Sequence, residues 1–243
     1  IKWVKYLERQ RGEKSPLFLF LLFSFTAFAH QRTIKPERVN WIQNLGFWMF
    51  IHWNVDVSLG AVISHSLSGA SDDYVNKYIN ELPGYFNPEQ FKPKDWAKLA
   101  KLAGMKYVVF TAKHHAGFAM FNTKTTPFNV MNTPFKRDIT KEIVEAFRAE
   151  GIAVGIYFSP DDFYYLYTHK QPIGRAQDPA HFPKTNPGLM EYDKAQLKEL
   201  LTQYGKIDIL FIDGPGDGLR EFAWSINPDL VITRDAMKTP EQT

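Results

Sequence analysis

Four apolar runs in this chain end in residues that could do chemistry. His52 closes Gly46-Phe-Trp-Met-Phe-Ile51, the cluster Lys113-His114-His115 closes Tyr107-Val-Val-Phe-Thr-Ala112, Asp213 closes Ile207-Asp-Ile-Leu-Phe-Ile212, and Arg234 follows Leu230-Val-Ile-Thr233. A carboxylate in such a place can act as a nucleophile or base, and an imidazole can pass protons, bind hydroxyl groups or ligate a metal. Taken singly, each has a plainer reading: an Asp before Gly is commonly a turn-former, and a His closing a strand is commonly a satisfied core residue. The repetition over four separate ends is what marks a site. Adjacent side chains on a strand point to opposite faces, so His114 and His115 are expected to be poorly placed to bind one metal together. A set of His52, one of that pair and Asp213 is the conceivable metal alternative.

The elements behind these residues follow from the pattern. Tyr107 to Thr111 is continuous, β-branched and aromatic, as in a strand buried on both faces, and that implies a parallel sheet covered by helices. Just upstream, Trp96-Ala-Lys-Leu-Ala-Lys-Leu-Ala103 has helical spacing and stops at Gly104. Helix, turn, buried strand and polar strand end is the unit of a (β/α) barrel, whose carboxyl-terminal rim carries the chemistry. Further strands are expected at 46–53, 152–159, 207–214 and 230–233, and further helices at 138–150, 189–204 and 219–226. Residues 31–43 read as a polar linker, 54–93 as a long loop with a short helix, and 164–188 as a surface loop over the rim. Five β/α units are recognisable where a closed barrel needs eight, so the expected fold is an α/β, (β/α)8 TIM-barrel-like domain, incomplete through C-terminal truncation.

With 243 residues, 44% hydrophobic and 15% aromatic, the chain can bury the core of one such domain. Twenty Phe, eleven Tyr and six Trp exceed what packing alone usually takes, and stacking on sugar faces is one use for the surplus. A net charge of +3 with scattered Lys and Arg argues against nucleic acid as a partner. The absence of Cys excludes disulfides, thiol catalysis and Cys-ligated metals. Lys2, Lys5, Arg9, Arg11 and Lys14 precede an apolar stretch that ends in Ala27-Phe-Ala29, the pattern of a secretory signal peptide cut before His30. That stretch is shorter than the roughly 20 residues of a spanning helix. The expected organisation is therefore a signal peptide at 1–29 and a barrel domain at 30–243, secreted or periplasmic, with no membrane span after cleavage.

Several motifs carry a resemblance. Phe50-Ile-His-Trp53, the run Trp96 to Phe118 with its Lys113-His-His-Ala-Gly-Phe118 block, Gly155-Ile-Tyr-Phe-Ser159 and Phe211-Ile-Asp-Gly214 resemble, in matching order, the signature strands of the family 29 α-L-fucosidases, over roughly Trp41 to Thr243. The resemblance implies hydrolysis of terminal α-L-fucose from glycans with retention, without metal or other cofactor, on a barrel usually followed by a β-sandwich that is absent here. It matches Asp213 to the catalytic nucleophile. His52, His114 and His115 match residues that hydrogen-bond the fucose hydroxyls, Tyr157 matches a tyrosine near the nucleophile, and Arg234 resembles an arginine near the sugar. Lys113 falls in the support. Thr239-Pro-Glu241 looks like the segment that carries the proton donor, making Glu241 the candidate acid/base, with Glu81, Glu89 or a residue beyond Thr243 as alternatives. Where many relatives have Glu-Trp-Tyr in the first long loop, this chain offers His65 and Ser71-Asp-Asp-Tyr74, so Asp73 or Asp72 is expected to replace the carboxylate. Asp161-Asp-Phe163 stands where relatives often have Asp-Trp. Phe50, Trp53, Phe118 and Phe211 are available as apolar walls for the C5 methyl of fucose. Two competing readings are a truncated, non-catalytic fucose-binding barrel remnant and, more weakly, a metal-dependent hydrolase on a similar barrel.

Overall fold

Five apolar runs pair side by side as parallel strands in the computed structural model, which describes residues 34–61, 63–174 and 179–235, with Arg234 and Asp235 described by backbone only. They are β1 (Trp48–Ile51), β2 (Tyr107–Lys113), β3 (Ala153–Phe158), β4 (Ile209–Gly214) and β5 (Val231–Asp235), and their order in the sheet is their order in the chain. Trp48 lies opposite Tyr107, Tyr107 opposite Ala153, Gly155 opposite Ile209, and Ile209 opposite Val231. Sequential parallel strands joined by helical crossovers are the arrangement of a (β/α) barrel, here in incomplete form, and they put every strand's carboxyl end on one rim. Val108 to Ala112 in β2 are almost wholly buried, as the run of β-branched and apolar residues foretells, and Lys113 after them is buried as well. Gly155 in β3 has a packing reason: a Cβ there would lie 3.0 Å from both Ile209 Cβ and Val109 Cγ2 on the neighbouring strands.

The helices are α1 (Pro36–Leu45), α2 (Asp72–Asn80), α3 (Pro93–Leu102), α4 (Ile139–Ala149), α5 (Phe163–Thr168), α6 (Pro187–Gln203) and α7 (Leu219–Ile226). Several start on a side-chain cap: Asp138 accepts from Lys141 N at 2.9 Å, Asp162 from Tyr165 N at 2.7 Å and Asn186 from Leu189 N at 3.2 Å. In α4, Ile139, Ile143, Val144 and Phe147 give the buried stripe against the sheet. No helix among the described residues is long and apolar enough to cross a membrane.

Two expectations are corrected. The supposed polar linker holds α1, whose Val39, Trp41 and Ile42 pack only half-buried against the core; Pro36 starts it, and Lys35 and Arg38 fix it by contacts to Asp229 at 2.5 and 2.8 Å. The supposed surface loop after residue 163 begins with α5, whose six residues are too few for a 3.6-residue period to register. Residues 1–33, with the predicted signal peptide, and Glu241 lie outside the described residues.

Candidate active site

The strand β2 stops at Lys113, and the chain bends at once, with Gly117 N donating to His114 O at 2.9 Å. Alternation of side chains holds only while the backbone is extended. The bend therefore overturns the expectation that His114 and His115 face apart: their rings lie 4.4 Å apart and both line one cleft of about 360 Å³. Gly117 makes the bend possible. Its φ is 84°, and a Cβ there would stand 2.2 Å from Asp162 Oδ1, an oxygen already held by Tyr165 N. Gly117→Ala is expected to cost about 1–3 kcal/mol in overpacking and roughly 1 kcal/mol more for the positive φ. Urea denaturation checks this, and a loss below about 0.5 kcal/mol would show that the carboxylate can move aside.

His52 follows the end of β1, its ring 4.8 Å from His114 and stacked on Phe50 at 6.0 Å. Its Nε2 is buried with no hydrogen-bond partner among the described residues, so this atom stands ready for a polar ligand. Burial lowers the His52 pKa, against a smaller opposing pull from Asp213, with His65 adding to the lowering. The sign follows: the unfolded chain takes up this proton near the ordinary histidine value and the folded chain only at lower pH, so the stability His52 contributes is present above about 6.5 and lost as pH falls. Wild type should accordingly lose thermal stability between pH 7 and 5 more steeply than His52→Asn; parallel curves would contradict this.

Asp213 ends β4 with its side chain part-exposed, and Tyr157 from β3 donates to its Oδ2 at 2.5 Å. Tyr157 itself is buried, stacked on His114 at 5.6 Å and on Phe211 at 5.4 Å. His115 sits between two carboxylates, its Nε2 3.9 Å from Asp213 Oδ2 and its Nδ1 3.8 Å from Asp161 Oδ2. Beneath the pair, Lys113 is fully buried and meets Asp193 Oδ1 at 2.9 Å and Asp162 Oδ2 at 3.2 Å, a supporting position.

The fold thus brings His52, His114, His115, Tyr157 and Asp213 to one cleft. Asp73 is not among its lining residues, which corrects its assignment: it lies exposed in the first turn of α2, and its carboxylate pairs with Lys77 at 2.8 Å one helical turn on. Glu81 and Glu89 are likewise exposed and do not line the cleft. Of the aromatic walls, Phe50 lines the cleft and Phe211 backs Tyr157. Trp53 packs with Phe86, Phe91 and Trp96, and Phe118 is buried core. The backbone of Arg234 belongs to β5, and its side chain lies outside what is described. Two residues that the sequence offers without a role in the site also line the cleft. His65 stacks on His115 at 5.4 Å, and Asp161 follows the end of β3; the signal for each was a polar residue just beyond a buried run or inside the long loop.

Donor atoms of His114, His115 and Asp213 lie within 4.8 Å of one another, the one set among the described residues with cation-binding potential. Nδ1 of each histidine already engages a serine hydroxyl, Ser64 for His114 and Ser159 for His115. A tetrahedral zinc spaces its ligands by roughly 3.3 Å, so a span of up to 4.8 Å would have to contract to hold one. As it stands, the arrangement offers two carboxylates, one phenol and four imidazoles to a polar, uncharged ligand with several hydroxyl groups.

A sequence model of the family described as Alpha-L-fucosidase matches residues 28–242. Alpha-L-fucosidase 1 of Arabidopsis thaliana is 30% identical over 168 residues, covering 63% of this chain and 30% of that protein. Tissue alpha-L-fucosidase of Homo sapiens is 28% identical over 235 residues, 85% of this chain and 48% of the relative. Among solved structures, alpha-L-fucosidase isoenzyme 1 from Paenibacillus thiaminolyticus superposes with a TM-score of 0.67 at 33% identity, covering 81% of this chain and 49% of that one. An alpha-L-fucosidase from Bacteroides thetaiotaomicron, trapped as a covalent intermediate with 2-fluoro-fucosyl fluoride, gives 0.64 at 27% identity and covers 83% and 49%. The chain thus spans half or less of the length of these relatives.

Proposed function

The chain belongs to the alpha-L-fucosidase family, and from that premise we propose that it is a retaining exo-α-L-fucosidase acting on terminal α-L-fucose of glycans. One observation carries the reading: Asp213, bonded to the Tyr157 hydroxyl at 2.5 Å, shares a cleft with four imidazoles. A retaining glycosidase needs one carboxylate that attacks the anomeric carbon to form a glycosyl-enzyme, and a second group that first protonates the departing oxygen and then activates water. Asp213 takes the first role. The Tyr157 bond holds its carboxylate in one rotamer and helps carry its charge, while His52, His114 and His115 take the ring hydroxyls, with Phe50 beside them as an apolar wall. Glu241 takes the second role on the strength of the Thr239-Pro-Glu241 motif, and retention would place it about 5–5.5 Å from Asp213. Arg234 is assigned to the sugar on the same kind of evidence. Export through residues 1–29 belongs to the proposal too, supported by the basic, apolar and Ala-Phe-Ala succession there; N-terminal sequencing of an exported product that does not begin at His30 would refute it.

The test is to incubate the chain with an aryl α-L-fucoside and follow phenol release, with proton NMR reading the first-formed sugar. Release of the α anomer supports double displacement, and the β anomer overturns it. Calorimetric binding of fucose with no release would instead favour a fucose-binding barrel without turnover.

A further inference from the structure

We propose that Ser64 and Ser159 are positioning residues that hold the adjacent histidines in opposite tautomers, His114 as a hydrogen-bond donor through Nε2 and His115 as an acceptor through Nε2. A serine hydroxyl has one hydrogen to give and lone pairs to receive, so its other bonds decide what it does to an imidazole. Ser64 is fully buried, and its Oγ accepts from Ala116 N at 2.9 Å. Its remaining contact is His114 Nδ1 at 2.5 Å. If Nδ1 also donated, the Ser64 hydrogen would be buried with no acceptor among the described residues, an unfavourable state. Ser64 therefore donates, His114 Nδ1 is the unprotonated nitrogen, and the ring's hydrogen sits on Nε2.

Ser159 is set the other way. It is also fully buried, and its Oγ contacts the Asp161 carbonyl at 3.1 Å. A carbonyl only accepts, so the single hydrogen of Ser159 is committed there. The hydroxyl must then receive its second bond, and His115 Nδ1 supplies it. The flanking carboxylates do not choose between the nitrogens, since Asp161 Oδ2 lies 3.8 Å from Nδ1 and Asp213 Oδ2 3.9 Å from Nε2, so the assignment rests on the Ser159 hydroxyl. In the neutral ring Nε2 then carries the lone pair.

With both Nδ1 atoms engaged, the two rings can address a ligand in the cleft through Nε2, one as donor and one as acceptor. That pairing suits a sugar hydroxyl, which both receives and gives a hydrogen bond, or two neighbouring hydroxyls on one face of a ring. Two donors would leave the hydrogen of such a hydroxyl unclaimed, and an unmatched polar group is what discriminates against the wrong ligand. The inference deepens the sugar-binding reading and rests on it for the ligand, but the tautomers themselves belong to the free protein.

Long-range ¹H–¹⁵N NMR of the full 243-residue chain labelled in histidine, at neutral pH and without sugar, separates the two questions. The expected spectrum shows the unprotonated nitrogen at Nδ1 for His114 and at Nε2 for His115. Ser64→Ala should shift only the His114 pattern and Ser159→Ala only that of His115, while Ser64→Thr and Ser159→Thr, which keep the hydroxyl, should restore each. Identical tautomers in the wild type, or alanine variants that leave both patterns unchanged, would overturn the proposal. Should an alanine variant fail to fold, the wild-type spectrum alone decides. An absence of fucosidase turnover alongside the expected spectrum would count against the enzyme reading and leave the tautomer assignment standing.

Discussion

Asp213→Asn should lower turnover of an aryl α-L-fucoside by about 10³-fold or more, with the fold intact. Asparagine fills the same space at the tip of β4 and can still accept a bond from the Tyr157 hydroxyl, so the geometry at 2.5 Å is largely kept. What it lacks is a charged oxygen able to bond to the anomeric carbon. Loss of a nucleophile blocks the step itself, whereas loss of a binding imidazole weakens the approach to it. Tyr157→Phe should therefore cost less than Asp213→Asn, since it removes one hydrogen bond to the carboxylate and leaves the carboxylate in place. Because the Asp213 side chain is part-exposed, its replacement should change stability by no more than about 1 kcal/mol. The check is kcat and thermal unfolding measured on the same preparation. Equal turnover in the parent and Asp213→Asn would remove Asp213 from the mechanism, and a variant that unfolds would make the comparison uninformative until Asp213→Ser is tried.

What could be read from the residues, and what could not, follows one physical division. The strands were legible because a strand buried on both faces must be apolar throughout, and Tyr107 to Ala112 or Ile209 to Ile212 leave little else to propose. Asp213, His52 and the His114–His115 pair were legible for the complementary reason: polar groups at the ends of such runs need an explanation. The bend after Lys113 was hidden, since it depends on Gly117 passing the Asp162 carboxylate, a contact across 45 positions that no local pattern encodes. His65 and Asp161 were hidden for the same reason, as loop residues acquire neighbours only through the fold. Asp73 was misplaced by the opposite error. Its charge was taken as a site feature when a carboxylate in the first turn of α2 has a helix dipole and Lys77 to satisfy it.

The largest stability effect is expected at Lys113, which touches no substrate. Its ammonium is fully buried between Asp162 and Asp193, also fully buried, and lies 4.2 Å from the Phe158 ring. Asp162 also caps α5 and Asp193 belongs to α6, so this one cation ties the end of β2 to two helices and lies beneath the bend that delivers the histidines. Lys113→Met keeps the volume but leaves two buried carboxyl groups without their ammonium partner, and removal of one partner from a buried ionic cluster costs about 3–5 kcal/mol. The pH dependence has a definite sign. Burial pushes the Asp193 carboxyl up to about 8 even with Lys113 opposing it, so in the folded state this group holds a proton that the unfolded chain releases near the ordinary carboxylate value. Its contribution to stability therefore falls as pH rises from about 4 to 8. Burial acts to lower the Lys113 pKa, but Asp193 and Asp162 together raise it, so the stabilisation it brings is full below about 10.5 and is lost only as pH rises through its folded value. Deleting Lys113 removes the opposition and drives the Asp193 carboxyl higher still, so the deficit of Lys113→Met should widen as pH rises through about 8. Asp193→Asn leaves a one-to-one pair of Lys113 and Asp162; it should cost less than Lys113→Met and flatten the pH dependence of the parent. Urea unfolding of the three chains at about pH 5, 7 and 9 measures these differences, and a Lys113→Met deficit that is below about 1 kcal/mol, or that does not grow between about pH 7 and 9, would show that the ammonium does not hold the two carboxyl groups in place.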